Sequence, residues 1–186
     1  ENIDFNPTIF KKIGDEYISK MRVFSKSFKR TTDKLPINFL SIGLIKLILP
    51  NSKIIHCYRN PKDNIFSIFK NHFPGQRVNF AYDLSDTVEY FNLYKNLMNY
   101  WNQNLNNFIY NIKNEIIVSN TNKEIKNLLK FCNLDWSEKC IHFYKNKRPV
   151  KTASDFQSRN KIYSSSIGLW KNYEKYLFKK FKTLDV

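Results

Sequence analysis

The chain has 186 residues, of which 31 are Lys or Arg and 16 are Asp or Glu, so its formal net charge is +15. Hydrophobic residues make up 42% of it and aromatic residues 16%, enough apolar side chain to exclude a disordered chain. No segment approaches the roughly 20 consecutive apolar residues of a membrane span, and no secretory signal is visible. We therefore expect a single cytoplasmic domain over residues 1–186 that has no membrane partner.

The first part of the chain is predicted to contain two helices and a strand. Apolar residues at helical spacing predict an amphipathic helix over residues 8–24. A second helix, over residues 37–49 with Pro36 in its first turn, is apolar on most sides, so we expect it to be buried against a sheet. The apolar run 53–58 between helix-breaking residues predicts a buried strand.

A strand-to-helix junction is predicted directly after this strand. Asn60 can cap a helix, Pro61 suits its first position, and Asp63 falls at its third position, near the positive end of the helix dipole. The helix is expected to end near Pro74-Gly75 and to place four side chains in the core, those of Ile65, Phe66, Ile68 and Phe69.

The rest of the chain alternates between predicted helices and one further strand. Strands separated by amphipathic helices indicate an α/β fold with a parallel sheet, whose ligands bind at the carboxyl ends of the strands. Only two strands are clear, so either other strands are hidden in the loops or part of the domain is absent. The predicted elements are a loop over 76–84, a helix over 86–105, a strand within 109–118, a helix capped by Thr121 that runs through Phe131, a helix over 134–144, an irregular segment over 147–165 and two short helices at the end.

Arg59 and Ser67 are the candidates for binding an anion. Arg59 stands where the strand ends, and Ser67 lies one to two turns into the next helix, so both can reach one point above the helix start. Free amides at that helix end, a guanidinium and a hydroxyl together suit a phosphate dianion. Taken alone, the motif equally describes a capped helix that follows a strand.

Neither the net charge nor the cysteines and histidines identify a ligand. A lysine-rich composition can simply give a solvated basic surface, whereas a positive field concentrates an anionic ligand, either a small polyanion or nucleic acid. The common nucleic-acid-binding motifs are absent from the sequence. The 3 cysteines and 3 histidines lack the paired spacing of zinc ligands, so we expect no metal.

Around these residues the sequence resembles a known family. Arg59-Asn60-Pro61-Lys62-Asp63, with Ser67 and Phe69, is similar to the 3′-phosphate-binding motif of sulfotransferases that use 3′-phosphoadenosine 5′-phosphosulfate (PAPS). The resemblance is to the tyrosylprotein-sulfotransferase-like branch, including bacterial proteins in which such a domain follows tetratricopeptide repeats. The similarity extends in order along nearly the whole chain, through Asp33-Lys34-Leu35-Pro36, Gly43-Leu44-Ile45, Ile54-Ile55-His56, Leu134-Asp135-Trp136, Thr152-Ala153-Ser154, Ile162-Tyr163, Ser166, Gly168 and Trp170.

The resemblance implies a P-loop-NTPase-like sulfotransferase fold and sulfuryl transfer from PAPS to a hydroxyl acceptor, a protein tyrosine or a small molecule, without a metal. Carried over by position, Arg59 and Ser67 would bind the 3′-phosphate of the nucleotide, and Ser154 would lie near its phosphates. Lys34 would be catalytic, because its ammonium would stabilise the negative charge that grows on the leaving 5′-phosphate.

The chain also departs from the family pattern. Asn114-Glu115 stands where the family has Tyr-Glu, and Lys161 replaces a proline between Gln157 and Tyr163. The Arg-Ser-Gly-Thr-Thr loop that cradles the 5′-phosphosulfate has no counterpart here. The sequence therefore resembles the carboxyl-terminal two thirds of a sulfotransferase domain, and it leaves open whether this chain alone is active. The sequence does not identify the general base either. Glu16 and Asp33 are the carboxylates nearest to the position at which the relatives carry their acidic residue.

The sequence is also consistent with two functions other than sulfuryl transfer. The missing loop favours a non-catalytic basic fragment that binds a nucleotide or polyanion, and turnover of a labelled sulfuryl donor would separate it from an enzyme. Nucleic-acid binding through the lysine-rich surface is the weaker alternative. It would show a steep salt dependence and no competition by adenosine 3′,5′-bisphosphate.

Overall fold

Two strands and a larger number of helices make up the part of the chain that the computed structural model describes, residues 6–24, 30–73, 76–146 and 159–184. By their contacts they divide into two compact units, Glu1–Ile54 with Asn96–Ile109, and Ile55–Lys95 with Tyr110–Val186. In chain order the elements are α1 (Pro7–Phe24), a 3₁₀ helix (Pro36–Ser41), α2 (Ile42–Ile48), β1 (Ile54–Tyr58), α3 (Pro61–Phe69), a 3₁₀ helix (Gln76–Tyr82), α4 (Leu84–Asn104), β2 (Ile109–Lys113), α5 (Asn114–Ser119), α6 (Thr121–Phe131), 3₁₀ helices (Glu138–Cys140, Phe143–Lys145 and Leu169–Tyr173) and α7 (Glu174–Phe181).

The two strands form a small parallel sheet in the order β1-β2. The strands predicted over 53–58 and within 109–118 are thus confirmed, and so is the mixed α/β class. The expectation that the first strand is buried is wrong: every residue of Ile54–Tyr58 is half-buried or exposed, because an apolar run does not show what covers it. The second strand is shorter than its apolar run, because the chain turns into the short helix α5 at Asn114. None of the helices in the described ranges has both the length and the apolarity that crossing a bilayer requires.

In the first unit, glycines allow close approach between elements. Gly14 of α1 lies so near α2 that a Cβ atom there would be 2.0 Å from the carbonyl oxygen of Ile48. A Cβ at Gly43 would be 2.7 Å from the ring of Trp101, whose Nε1 donates a hydrogen bond to the carbonyl oxygen of Phe39 at 2.9 Å. Both contacts need a residue without a side chain.

The prediction that the second helix is buried is wrong for much of its surface. Within α2 only Ile42 is buried. The helix packs on α1 through one side, so an apolar stripe on another side remains exposed. The exposed fractions along this stripe are 44% for Ile37, 55% for Leu40, 48% for Leu44 and 41% for Leu47.

The second unit has a hydrophobic core in which α3 and α4 meet the C-terminal helices. Of the four side chains predicted for α3, Ile65 and Phe66 are buried there, Ile68 is half-buried and Phe69 remains 40% exposed. The helix ends at Phe69, before its predicted end near Pro74-Gly75. Burial of each large apolar side chain contributes roughly 1.5–3 kcal/mol. The ammonium of Lys62 lies 4.4 Å from the ring centroid of Trp170 and so adds a cation–π contact between α3 and the chain end.

A histidine connects the sheet to α4 in the same unit. The Nδ1–H of His56 on β1 donates to Oδ1 of Asn111 on β2 at 2.7 Å, since that oxygen can only accept. Nε2 then accepts a hydrogen bond from the hydroxyl of Tyr94 on α4. Burial lowers the pKa of His56 and raises the pKa of Tyr94 to about 12, so the histidine is neutral and the tyrosine keeps its proton.

Three predictions for the chain after α3 need correction. The loop predicted over 76–84 contains the 3₁₀ helix Gln76–Tyr82 and the first residue of α4. α6 spans the predicted residues, but Thr121 is already inside the helix, where its hydroxyl donates to the carbonyl oxygen of Ile117 at 2.8 Å, and Asn120 occupies the cap position. The predicted helix over 134–144 is replaced by two 3₁₀ turns. Ser137 caps the first of these by accepting from the backbone N–H of Lys139. The two short helices predicted at the chain end are confirmed.

Gly14→Ala should destabilise the protein by about 1–3 kcal/mol, because the added methyl group would push α1 away from the Ile48 carbonyl oxygen. Alanine is the better helix former, so its intrinsic preference acts in the opposite direction. Urea unfolding measures the difference. Ser19→Ala, at an exposed position of α1, is the control and should shift the stability by less than about 0.5 kcal/mol. A Gly14→Ala variant as stable as the wild type would contradict the close contact.

His56→Gln should flatten the dependence of stability on pH. The lowered pKa of His56 keeps the folded imidazole neutral, while the unfolded chain takes up a proton below about pH 6.5. The stability is therefore fully present above about pH 6.5 and decreases as the pH falls from there, by up to about 1.4 kcal/mol per pH unit. Urea unfolding between about pH 7.5 and about pH 5 gives this slope. His142→Gln, at an exposed histidine, should keep the wild-type slope, and equal slopes in the two variants would rule out the assignment to His56.

Candidate functional site

The junction between β1 and α3 has the cap that the sequence predicts. The side chain of Asn60 accepts hydrogen bonds from the backbone N–H groups of Lys62 at 3.0 Å and Asp63 at 3.3 Å, and Pro61 occupies the first helical turn. The capped strand-to-helix junction is therefore confirmed. It sets the direction in which the chain leaves the sheet directly after Arg59.

The predicted free amides at this helix end are already engaged. Pro61 has no N–H, those of Lys62 and Asp63 donate to the Asn60 side chain, and that of Asn60 itself donates to Oε1 of Glu115 at 2.7 Å. The prediction of open donors is therefore wrong, because the cap uses them. An anion at this junction has to be bound by side chains.

The guanidinium of Arg59 is held from two sides but keeps a free donor. One terminal nitrogen donates to the carbonyl oxygen of Ser166 at 2.8 Å and lies 3.7 Å from Oδ2 of Asp63. The side chain is 22% exposed. Its Nε is buried and has no hydrogen-bond partner among the described residues. A buried donor left in this way costs about 1–3 kcal/mol.

Asp63 links α3 to the chain near residue 168. It is only 2% exposed, and its Oδ2 accepts a hydrogen bond from the backbone N–H of Gly168 at 2.7 Å. Gly168 has φ 73°, a left-handed conformation that favours glycine. The Asp63 side chain of α3 thus fixes the turn that presents the Ser166 carbonyl oxygen to Arg59. No local pattern in the sequence indicates this partner.

Ser67 lies in α3 and is half-buried. No hydrogen bond joins its side chain to Arg59 in the described part of the chain, although both residues belong to the second compact unit. The described structure therefore does not connect these two side chains directly. Ser154, the third predicted nucleotide-binding residue, lies outside the described residues.

Lys34 belongs to the first unit, in an irregular segment before the 3₁₀ helix Pro36–Ser41, and it is exposed. Its neighbour Asp33 accepts a hydrogen bond from the hydroxyl of Tyr17 on α1 at 2.6 Å. This bond raises the pKa of Tyr17 to about 12 and ties the segment to a helix. Of the two carboxylates considered as a base, Asp33 is thus bound to Tyr17, and Glu16 pairs with Lys20 at 2.8 Å.

A further surface feature lies near the start of α6. An open cavity of about 640 Å³ is lined there by Lys123 and Lys161, and no carboxylate of the described residues lines it. Neither Arg59 nor Ser67 lines it. The nearby Arg159 donates to the carbonyl oxygen of Asn146. Lys161, which stands where the family pattern has a proline, thus lines this cavity, whereas Arg159 binds a backbone carbonyl oxygen. Within the described ranges, no three His, Cys, Asp or Glu side chains are grouped so that they could hold a metal ion.

Comparison with known proteins shows the family to which the chain belongs. The profile of the sulfotransferase family matches residues 7–138, which include Lys34, Arg59 and Ser67. An uncharacterized protein from Aquifex aeolicus (strain VF5) is 35% identical over 177 residues, which cover 94% of this chain and 23% of that relative. The chain thus spans less than a quarter of the length of the relative. Because the profile matches well over half of the chain, the chain belongs to the sulfotransferase family.

Proposed function

We propose that the chain is part of a sulfotransferase that transfers a sulfuryl group from PAPS to a hydroxyl acceptor, a protein tyrosine or a small molecule. The observation that carries the proposal is the partly exposed Arg59 guanidinium at the end of a strand. The carboxyl end of a parallel strand is where ligands of α/β proteins bind. The family match adds the type of reaction.

Arg59 and Ser67 are the proposed ligands of the nucleotide 3′-phosphate. Because the cap engages the terminal amides of α3, the negative charge has to be met by the guanidinium and the serine hydroxyl. Each charge-assisted hydrogen bond of this kind contributes roughly 1.5–3 kcal/mol. Ser154 is proposed as a further phosphate contact on the resemblance alone.

Lys34 is the proposed catalytic residue. In the reaction the acceptor oxygen forms a bond to sulfur, the bond from sulfur to the bridging oxygen breaks, and adenosine 3′,5′-bisphosphate leaves. The acceptor proton passes to a base or to water. Negative charge grows on the leaving 5′-phosphate, and a fixed ammonium would stabilise it. The exposure of Lys34 leaves its ammonium accessible to such a group.

A second candidate is a non-catalytic fragment that binds a nucleotide or polyanion. It is favoured by the lack of any Gly-Thr-Thr or Gly-Lys-Ser phosphate loop in the sequence, which has only 4 glycines. The net charge of +15 suits such a ligand as well. Binding without turnover would favour this candidate, and turnover of PAPS by the chain would exclude it.

Arg59→Ala should weaken the binding of adenosine 3′,5′-bisphosphate by about 10- to 100-fold, because the phosphate loses a charge-assisted donor. Titration calorimetry measures the affinity, and thermal unfolding checks that the variant is folded despite the lost bond to Ser166. Arg22→Ala, at an exposed arginine of α1, keeps the same net charge as Arg59→Ala and should bind like the wild type. Equal affinities in the two variants would refute the assignment of Arg59.

Lys34→Ala should lower kcat for sulfuryl transfer by about 10²–10³-fold, while the bisphosphate affinity changes far less. Transfer of label from PAPS to a tyrosine peptide and to a phenol gives the rate. Lys12→Ala, at an exposed lysine of α1, is the charge-matched control. If Lys34→Ala turns over as fast as Lys12→Ala, Lys34 is not the catalytic residue.

A further inference from the structure

The backbone N–H of Asn60, the cap residue of α3, is bound by a residue from another element. In a capping box, the side chain at the third helical position accepts the backbone N–H of the cap residue. The third residue of α3 is Asp63, but its carboxylate accepts from Gly168 instead. The N–H of Asn60 donates to Oε1 of Glu115, in the first turn of α5 directly after β2, at 2.7 Å. Glu115 therefore takes the place of the local capping partner.

The hydrogen bond from Asn60 to Glu115 affects the conformation of Arg59, because the peptide unit between Arg59 and Asn60 is planar. The N–H of Asn60 lies in the same plane as the carbonyl group of Arg59. A bond from Glu115 to this N–H therefore orients the peptide unit that follows Arg59. It restricts ψ of Arg59, on which the direction of the guanidinium depends.

Unsatisfied polar atoms are concentrated at the same junction. Four buried side-chain nitrogen or oxygen atoms lack a hydrogen-bond partner in the described part of the chain, and three of them are Arg59 Nε, Asp63 Oδ1 and Glu115 Oε2. Buried polar groups are otherwise almost always paired. Such atoms persist where neighbouring bonds determine their positions, which is typical of functional sites.

The carboxylate of Glu115 is stabilised without a cation. Among the described residues, no Lys or Arg forms an ion pair with it. Its hydrogen bond comes from a backbone amide at the positive end of α3, where the helix dipole favours a negative group. Glu115 therefore binds the junction through its hydrogen bond to the Asn60 amide.

We propose that Glu115 is a positioning residue, which orients the Arg59–Asn60 peptide unit so that the Arg59 guanidinium meets the nucleotide 3′-phosphate. This inference rests on the proposed function. Glu115 itself does not contact the nucleotide and acts through Arg59.

Glu115→Ala should weaken the binding of adenosine 3′,5′-bisphosphate by about 5- to 20-fold, as expected for a lost hydrogen bond to a charged group. Glu115→Gln keeps an oxygen that can accept from Asn60 and should lose less than about 3-fold. Glu89→Ala, at an exposed glutamate of α4, removes the same charge and should bind like the wild type. Calorimetry measures all three, with thermal unfolding as the check on folding.

A double-mutant cycle separates positioning from a general loss of stability. If Glu115 acts through Arg59, Glu115→Ala should have little further effect in an Arg59→Ala background. Additive losses of affinity in the double variant would overturn the proposal. Full affinity in Glu115→Ala alone would overturn it as well.

Hydrogen exchange of the Asn60 amide tests the inference without any nucleotide. Exchange should become faster in Glu115→Ala and stay near the wild-type rate in Glu115→Gln and Glu89→Ala. An unchanged exchange rate in Glu115→Ala would contradict the inference. If the wild-type chain binds no bisphosphate, the proposed function fails, and the Asn60 exchange rates still decide whether Glu115 orients this peptide unit.

Discussion

The cap of α3 is the constraint on which the rest of the candidate site depends. A helix begins with N–H groups that have no partner within the helix, and at this junction those groups are all engaged. Pro61 removes one donor, the Asn60 side chain binds those of Lys62 and Asp63, and Glu115 binds that of Asn60. Because the cap is complete, the helix end offers no amide to a ligand. Recognition of an anion here then rests on Arg59 and on neighbouring hydroxyl groups.

The same cap determines how the second unit is held together around Arg59. Since Glu115 binds the N–H of Asn60, the Asp63 carboxylate is available to Gly168, and the turn fixed by that bond brings the Ser166 carbonyl oxygen to the guanidinium. One turn of α3 thus connects the strand β1, the helix that follows β2 and the chain near residue 168. Its interactions include a charged pair at low exposure, where Coulomb interactions are less screened than at the surface.

Local sequence signals were reliable where the structure depends on neighbours in the chain. The cap at Asn60, the proline after it and the apolar strand before it were predicted because backbone sterics and side-chain-to-backbone bonds act over a few residues. Predictions that depended on distant partners were less reliable. The helix over 37–49 was expected to be buried, yet Leu40 and Leu44 remain exposed, because composition shows that a face is apolar and not what covers it. Thr121 was expected to be a cap and instead lies inside α6.

By itself, the sequence determined the α/β class, the position of Arg59 at the end of a strand and the likeness to sulfotransferases that the family profile then confirmed. Only the tertiary structure decided that Asp63 binds Gly168, that Glu115 binds Asn60 and that the buried Nε of Arg59 has no hydrogen-bond partner among the described residues. The physical reason is the range of the interactions. A hydrogen bond between residues 55 or more positions apart leaves no periodic or local trace, because it forms only when the packing of the helices and strands brings its two groups together.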